Sequence, residues 1–211
     1  MIKCIIFDCD GVLVDTEKIG NEILLSMAAE HGFEMKIEDA YRNFNGRNLK
    51  ECFRHIEEAI AKKLPESFEN EYREKSFNAF KTQVQPMEGV IDFIDNLEIP
   101  YCVASSGPVD KIRLNLETAG LLDKFENKIF SSYQIKSWKP DPGIFLHAAK
   151  EMGFSVQDCI VVEDSKAGVI AGKSGGFTVY GLANENNKTD LLEEGAIVFE
   201  NFEQLRQLTC L

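Results

Sequence analysis

The reading of this chain turns on Lys3 to Asp15, KCIIFDCDGVLVD. Cys4-Ile5-Ile6-Phe7 has the length and β-branched content of a buried strand. It breaks at Asp8 and Asp10, two carboxylates two positions apart, and then at Gly11. Buried parallel strands of α/β domains present their reactive groups at their carboxyl ends. Two acids placed there with no base between them repel unless a cation sits between them. The simplest is Mg²⁺, a hard ion that takes carboxylate, carbonyl and water oxygens. The alternative reading is an acidic turn with Asp10-Gly11 at its corner.

Outward from this stretch, the pattern turns helical at Thr16. Ile19, Ile23, Leu24, Met27 and Ala28 form one stripe, with Asp15 as the expected N-cap and Gly32 as the expected stop. Three more helices are expected, over 36–44, 49–64 and 66–84, and no strand from 16 to about 85. After Pro86, strands alternate with helices. Strands are expected at 101–105, 129–130, 159–162 and 177–180, and helices at 89–97, 109–119, 142–152, 167–172 and 202–208. Such alternation implies a parallel sheet with helices on both faces. The fold class is therefore α/β: a doubly wound, Rossmann-like parallel-sheet core made of 1–15 and 86–211, with an all-helical domain inserted at 16–85.

The chain has 211 residues, 44% of them apolar, enough to bury a core. Its net charge of −12 argues against nucleic acid and anionic membranes as partners, since both need a basic footprint. An anionic ligand would have to be drawn in by a local positive site. The six cysteines form no C-x-x-C pair, and with three histidines no zinc spacing arises. Free thiols, a reducing cytoplasmic setting and a monomer are expected. No apolar run approaches the ~18 residues of a membrane span. His31, His55 and His147 read as packing or surface residues, and Trp138 as packing against the segment that carries Lys139.

Each core strand ends in a polar cluster. The first gives Asp8 and Asp10, and the second gives Ser105, Ser106 and Gly107. Lys139-Pro140-Asp141-Pro142 follows the third, and the fourth gives Glu163 and Asp164. Ends gathered at one edge of one sheet would converge on one pocket. Taken singly, each cluster has a plainer reading: Ser105 or Ser106 as a helix cap, Lys139 as a surface lysine, Asp164 or Ser165 as an N-cap.

The D-x-D-G-V-L-V-D stretch resembles the first motif of the haloacid dehalogenase (HAD) superfamily. The order DxD, strand-terminal serine, lysine, acidic pair resembles that superfamily's four motifs across nearly the whole chain. The resemblance implies a Mg²⁺-dependent phosphatase acting on a small phosphorylated metabolite through an aspartyl-phosphate. Asp8 would be the nucleophile. Asp10 would be the acid and then the base, with its backbone carbonyl rather than its carboxylate toward the metal. Asp164 would be the second carboxylate on the metal, and Glu163 a ligand or a support beside it. Ser105, with the amides around Ser106 and Gly107, would hold phosphoryl oxygens, and Lys139 would place a positive charge between the phosphate and Asp8.

The insert's position resembles the helical-cap branch that includes β-phosphoglucomutase. That enzyme's type carries D-T-x-x-x-H, whereas Asp15-Thr16 is followed here by Gly20 where the histidine would stand, which favours a hydrolase over a mutase. The segment Ser131 to Met152 is similar to bacterial 6-phosphogluconate phosphatases, which implies sugar or sugar-acid phosphates as substrates, 6-phosphogluconate among them. Phe44 to Lys50 resembles the branch's specificity loop, with Gly46, Arg47 and Lys50 as candidate substrate contacts. Its plainer reading is a helix stop beside a surface cation. A mutase and a non-catalytic phospholigand-binding module stand as the alternatives.

Overall fold

The computed structural model describes residues 2–44 and 49–211. Its strands are β1 (Cys4–Phe7), β2 (Val14–Asp15), β3 (Gln85–Pro86), β4 (Tyr101–Ser105), β5 (Ile129–Ser131), β6 (Cys159–Glu163), β7 (Thr178–Leu182) and β8 (Ile197–Phe199). Its helices are α1 (Glu17–Ala29), α2 (Ile37–Phe44), α3 (Leu49–Ile60), α4 (Phe68–Gln83), α5 (Val90–Asp95) and α6 (Val109–Thr118). They continue as α7 (Leu122–Phe125), α8 (Ser132–Ile135), α9 (Gly143–Glu151), α10 (Lys166–Ser174), α11 (Lys188–Glu193) and α12 (Phe202–Thr209). The chain divides into two compact units, 1–15 with 85–211, and 16–84.

In the first unit six strands form one sheet in the order β5-β4-β1-β6-β7-β8, and every pairing is parallel. β1 lies between β4 and β6, where the direction of winding reverses. Doubly wound sheets open their ligand crevice at this switch point, beyond the strands' carboxyl ends. The strands are apolar on both faces because helices cover both. Cys4, Ile6, Cys102, Ala104, Cys159 and Val161 pack with Ile144, Phe145 and Val169 from α9 and α10. The alternate residues face the other way, where the ring of Phe7 meets Phe93, Tyr101 and Phe125 edge-on at 6.3 Å. All six cysteines are free thiols, five of them buried.

The second unit has its own core, in which Leu24, Met27 and Ala28 of α1 pack with Phe44 of α2, Cys52 and Ile56 of α3, and Phe68. Its histidines lie against aromatic rings, His31 on Phe68 and His55 on Phe33 and Phe44. Among the described residues, no helix is long and apolar enough to cross a membrane.

Several local expectations change. Asp15 is not the cap of α1: it lies in β2 opposite Gln85 of β3, and the N-cap position belongs to Thr16, which makes no side-chain capping bond. Two-residue strands carry no periodicity to read. The helix expected to run to Leu64 stops at Ile60. Ala61 turns left-handed at φ 52°, and the Glu57 carboxylate accepts from the Leu64 amide at 3.0 Å. Strand β8 and helices α7, α8 and α11 were not expected, being too short for a periodic signal. Trp138 is exposed, with its ring edge-on to Tyr133.

Candidate active site

β1 ends at Phe7, so Asp8 is the first residue beyond the sheet, and its amide donates to the Val162 carbonyl of β6 at 2.9 Å. The chain then turns sharply. The amides of Leu13 and Val14 both return to the Cys9 carbonyl, and Gly11 sits at φ 80°. A Cβ at Gly11 would lie 2.1 Å from Oδ2 of Asp164, so glycine is needed there for its left-handed backbone and for the close approach of that carboxylate.

Lys139 lies between the acids. Its ammonium donates to Oδ1 of Asp8 and to Oε1 of Glu163, and its side chain is 6% exposed. Glu163 is fully buried at the end of β6. Its other oxygen accepts from the amides of Asp164 and Ser165, at 2.9 and 2.8 Å, and from the Ser165 hydroxyl at 2.9 Å. Protein donors therefore occupy both of its oxygens, which makes it the support of Lys139 and of the 163–165 turn. Ser165 also caps α10 by accepting from the Gly168 amide at 3.1 Å.

Asp8, Glu163 and Asp164 each bring a carboxylate oxygen within 4.8 Å of one another. With Glu163 turned to Lys139 and the turn amides, Asp8 and Asp164 are the carboxylates that would meet a cation directly. A hard divalent ion suits this all-oxygen set. Burial lifts the Asp8 carboxyl from the ordinary 3.8 to about 7, against the pull of Lys139 and with the push of Glu163 and Asp10. Lys139 is raised above its ordinary value by Asp8 and Glu163, although burial opposes this.

The carboxylate of Asp10 is not in that trio. Oδ2 accepts from Lys111 at 2.8 Å and Oδ1 from Asn115 Nδ2 at 3.1 Å, both on α6. Sequence reasoning missed this pair. The available signal was an asparagine on the buried stripe of α6 beside Ile112 and Leu116, one turn after a lysine. Ser105 is buried at the end of β4, and its Oγ accepts from the Gly107 amide at 3.0 Å. Ser131, at the end of β5, donates to the Gly107 carbonyl at 2.6 Å and so braces the same turn. Ser106 and Gly107 are half-buried and Lys50 is exposed on α3. Gly46 and Arg47 lie outside the described residues.

A model of the haloacid dehalogenase-like hydrolases matches residues 5–182. The chain belongs to this family. Among its haloacid dehalogenase-like relatives is the 6-phosphogluconate phosphatase of Escherichia coli K12. That protein is 32% identical over 98% of this chain and 94% of its own length. A phosphorylated carbohydrates phosphatase of Thermotoga maritima is 30% identical over 97% of this chain and 96% of its own. The solved structure of a conserved haloacid dehalogenase-like protein from Agrobacterium tumefaciens superposes with a TM-score of 0.93. It is 27% identical, and the match covers 100% of this chain and 98% of that one.

Gly168 supplies a test of the dehalogenase-like site's construction. A Cβ there would fall 1.9 Å from the carboxyl carbon of the fully buried Glu163. Overpacking of this kind costs about 1–3 kcal/mol. Gly168→Ala is expected to lower Tm by several degrees and to reduce catalysis by dislodging Glu163 from Lys139. Thermal melts, together with turnover of p-nitrophenyl phosphate, check this. An alanine variant with unchanged Tm and activity would contradict the packing described.

Proposed function

We propose that the chain is a Mg²⁺-dependent phosphatase of small phosphorylated metabolites, sugar or sugar-acid phosphates, working through an aspartyl-phosphate on Asp8. The observation that carries the reading is the buried Asp8 at the switch point of the sheet, bound to Lys139 and within reach of Asp164. The activities of the Escherichia coli and Thermotoga relatives support the substrate class.

Asp8 attacks phosphorus, its Oδ–P bond forming as the ester P–O bond breaks, and Asp10 gives its proton to the departing oxygen. Water then attacks the same phosphorus, its proton passes to Asp10, and the P–O bond to Asp8 breaks. Ser105 and the amides at 106 and 107 hold the non-bridging oxygens, and Lys139 balances charge between phosphate and Asp8. Asp8 and Asp164 would hold Mg²⁺, with Glu163 behind them; when bound, the ion neutralises the charge that otherwise keeps a phosphate away from Asp8. The helical unit serves as the cap that selects substrate.

The mutase alternative is disfavoured at Gly20. Glycine stands there in place of the histidine of the D-T-x-x-x-H pattern. Incubation with a panel of sugar and sugar-acid phosphates should release inorganic phosphate with Mg²⁺ and none after chelation. Recovery of a phosphorylated isomer without free phosphate would establish the mutase instead. Absence of any turnover, together with retained phosphate binding, would establish the non-catalytic module.

A further inference from the structure

The mechanism above leaves unexplained why Asp8 and Asp10, two residues apart, take different parts. Two neighbouring carboxylates facing one cation would ordinarily both turn to it. The arrangement on α6 supplies a physical reason. Lys111 and Asn115 are one turn apart on one face of the helix, where residues i and i+4 are neighbours. Each takes one oxygen of Asp10, Lys111 the Oδ2 and Asn115 the Oδ1. A carboxyl held at both oxygens is fixed in both side-chain torsions.

Asn115 is fully buried, and its Oδ1 has no hydrogen-bond partner among the described residues. A half-satisfied amide on a helix's core stripe is unfavourable for folding, and among the described residues its side-chain amide donates to Asp10. Lys111 is only partly exposed, and its stem lies 3.6 Å from where a Cβ at Gly107 would be. It therefore bridges the turn that follows Ser105 and the Asp10 side chain. The same β4–α6 unit thus provides the phosphate-binding serine and fixes the proton-transferring acid.

We infer that Lys111 and Asn115 are positioning residues for Asp10: they hold its carboxyl out of the Asp8, Glu163, Asp164 cluster and aim it at the leaving oxygen of the ester. This inference rests on the acid role proposed above for Asp10. The readout is dependence on the leaving group. An aryl ester that departs easily needs little protonation, whereas a poor leaving group depends on the acid. Lys111→Met, Lys111→Arg, Asn115→Leu and Asp10→Asn are compared with the unaltered protein on p-nitrophenyl phosphate and on phenyl phosphate, the poorer leaving group.

The expected result is a kcat loss on phenyl phosphate that exceeds the loss on p-nitrophenyl phosphate by roughly tenfold in Lys111→Met and Asn115→Leu. KM should change little on either ester, and Lys111→Arg should recover most of the difference. A variant that is merely misfolded loses both esters alike. If Asp10→Asn discriminates between the esters but the Lys111 and Asn115 variants do not, the positioning role is overturned and the acid role stands. If Asp10→Asn itself loses both equally, the acid role falls and takes this inference with it.

Discussion

Asp8→Asn is expected to lower phosphate release from any substrate by on the order of 10⁴-fold or more, the scale on which removing a covalent nucleophile acts. An asparagine amide cannot form the acyl-phosphate, while its volume matches aspartate and the β1–β6 ladder that places it is untouched. Assay of released phosphate on purified protein, with a thermal melt to confirm folding, decides the matter, and near-native activity would remove Asp8 from the mechanism. The same residue carries a pH prediction. Its folded-state pKa is raised to about 7 from 3.8. Its protonation therefore contributes stability in full below about pH 4, and that contribution is lost as pH rises through about 7. A cation competes with that proton, so Mg²⁺ should raise Tm more at about pH 8 than at about pH 5.5.

Lys139→Met is expected to impair both stability and turnover. The ammonium is paired with Asp8 and with the fully buried Glu163. Removing one member of a buried ionic cluster leaves uncompensated charge and costs about 3–5 kcal/mol. In a chain of this length that corresponds to a fall in Tm of roughly 10 °C. The methionine fills much of the lysine's volume, so the loss reads charge and not a cavity. Chemistry should suffer as well, because Asp8 loses the cation that opposes its desolvation. Calorimetry and steady-state kinetics measure the two effects separately. A variant as stable as the parent would mean that the buried triad is not the electrostatic centre described.

Much of this was legible in the chain. The run Cys4–Phe7 followed by Asp8 marked a buried strand, and the polar ends at Ser105 and Glu163 marked two more, because consecutive apolar residues and abrupt polar breaks are strong local signals; that those two flank β1 was not legible. Lys139 was legible through its place in the motif order. Lys111 and Asn115 were not, since both sit inside an ordinary amphipathic helix whose period says nothing about which carboxylate it will meet. Nor was the need for glycine at 168, which exists only because Glu163 folds back over it. The β2–β3 ribbon escaped notice because its two strands, each two residues long, are brought together only by tertiary structure.

The position of β1 in its sheet has a consequence for how the protein assembles. Ile5 pairs with Tyr101, and Cys4 with Cys159, so β1 meets both its neighbours only across long stretches of intervening chain. Contacts so distant in sequence slow folding, because a long loop must close before any bond rewards it. Residues 16–84, by contrast, are contiguous and make their contacts locally. They can condense first, and once Asp15 and Gln85 pair, the ends of that segment are joined and the span left for β1 to close onto β4 is much shorter. The insert thus doubles as a folding clamp, one that shortens the search its own presence imposes.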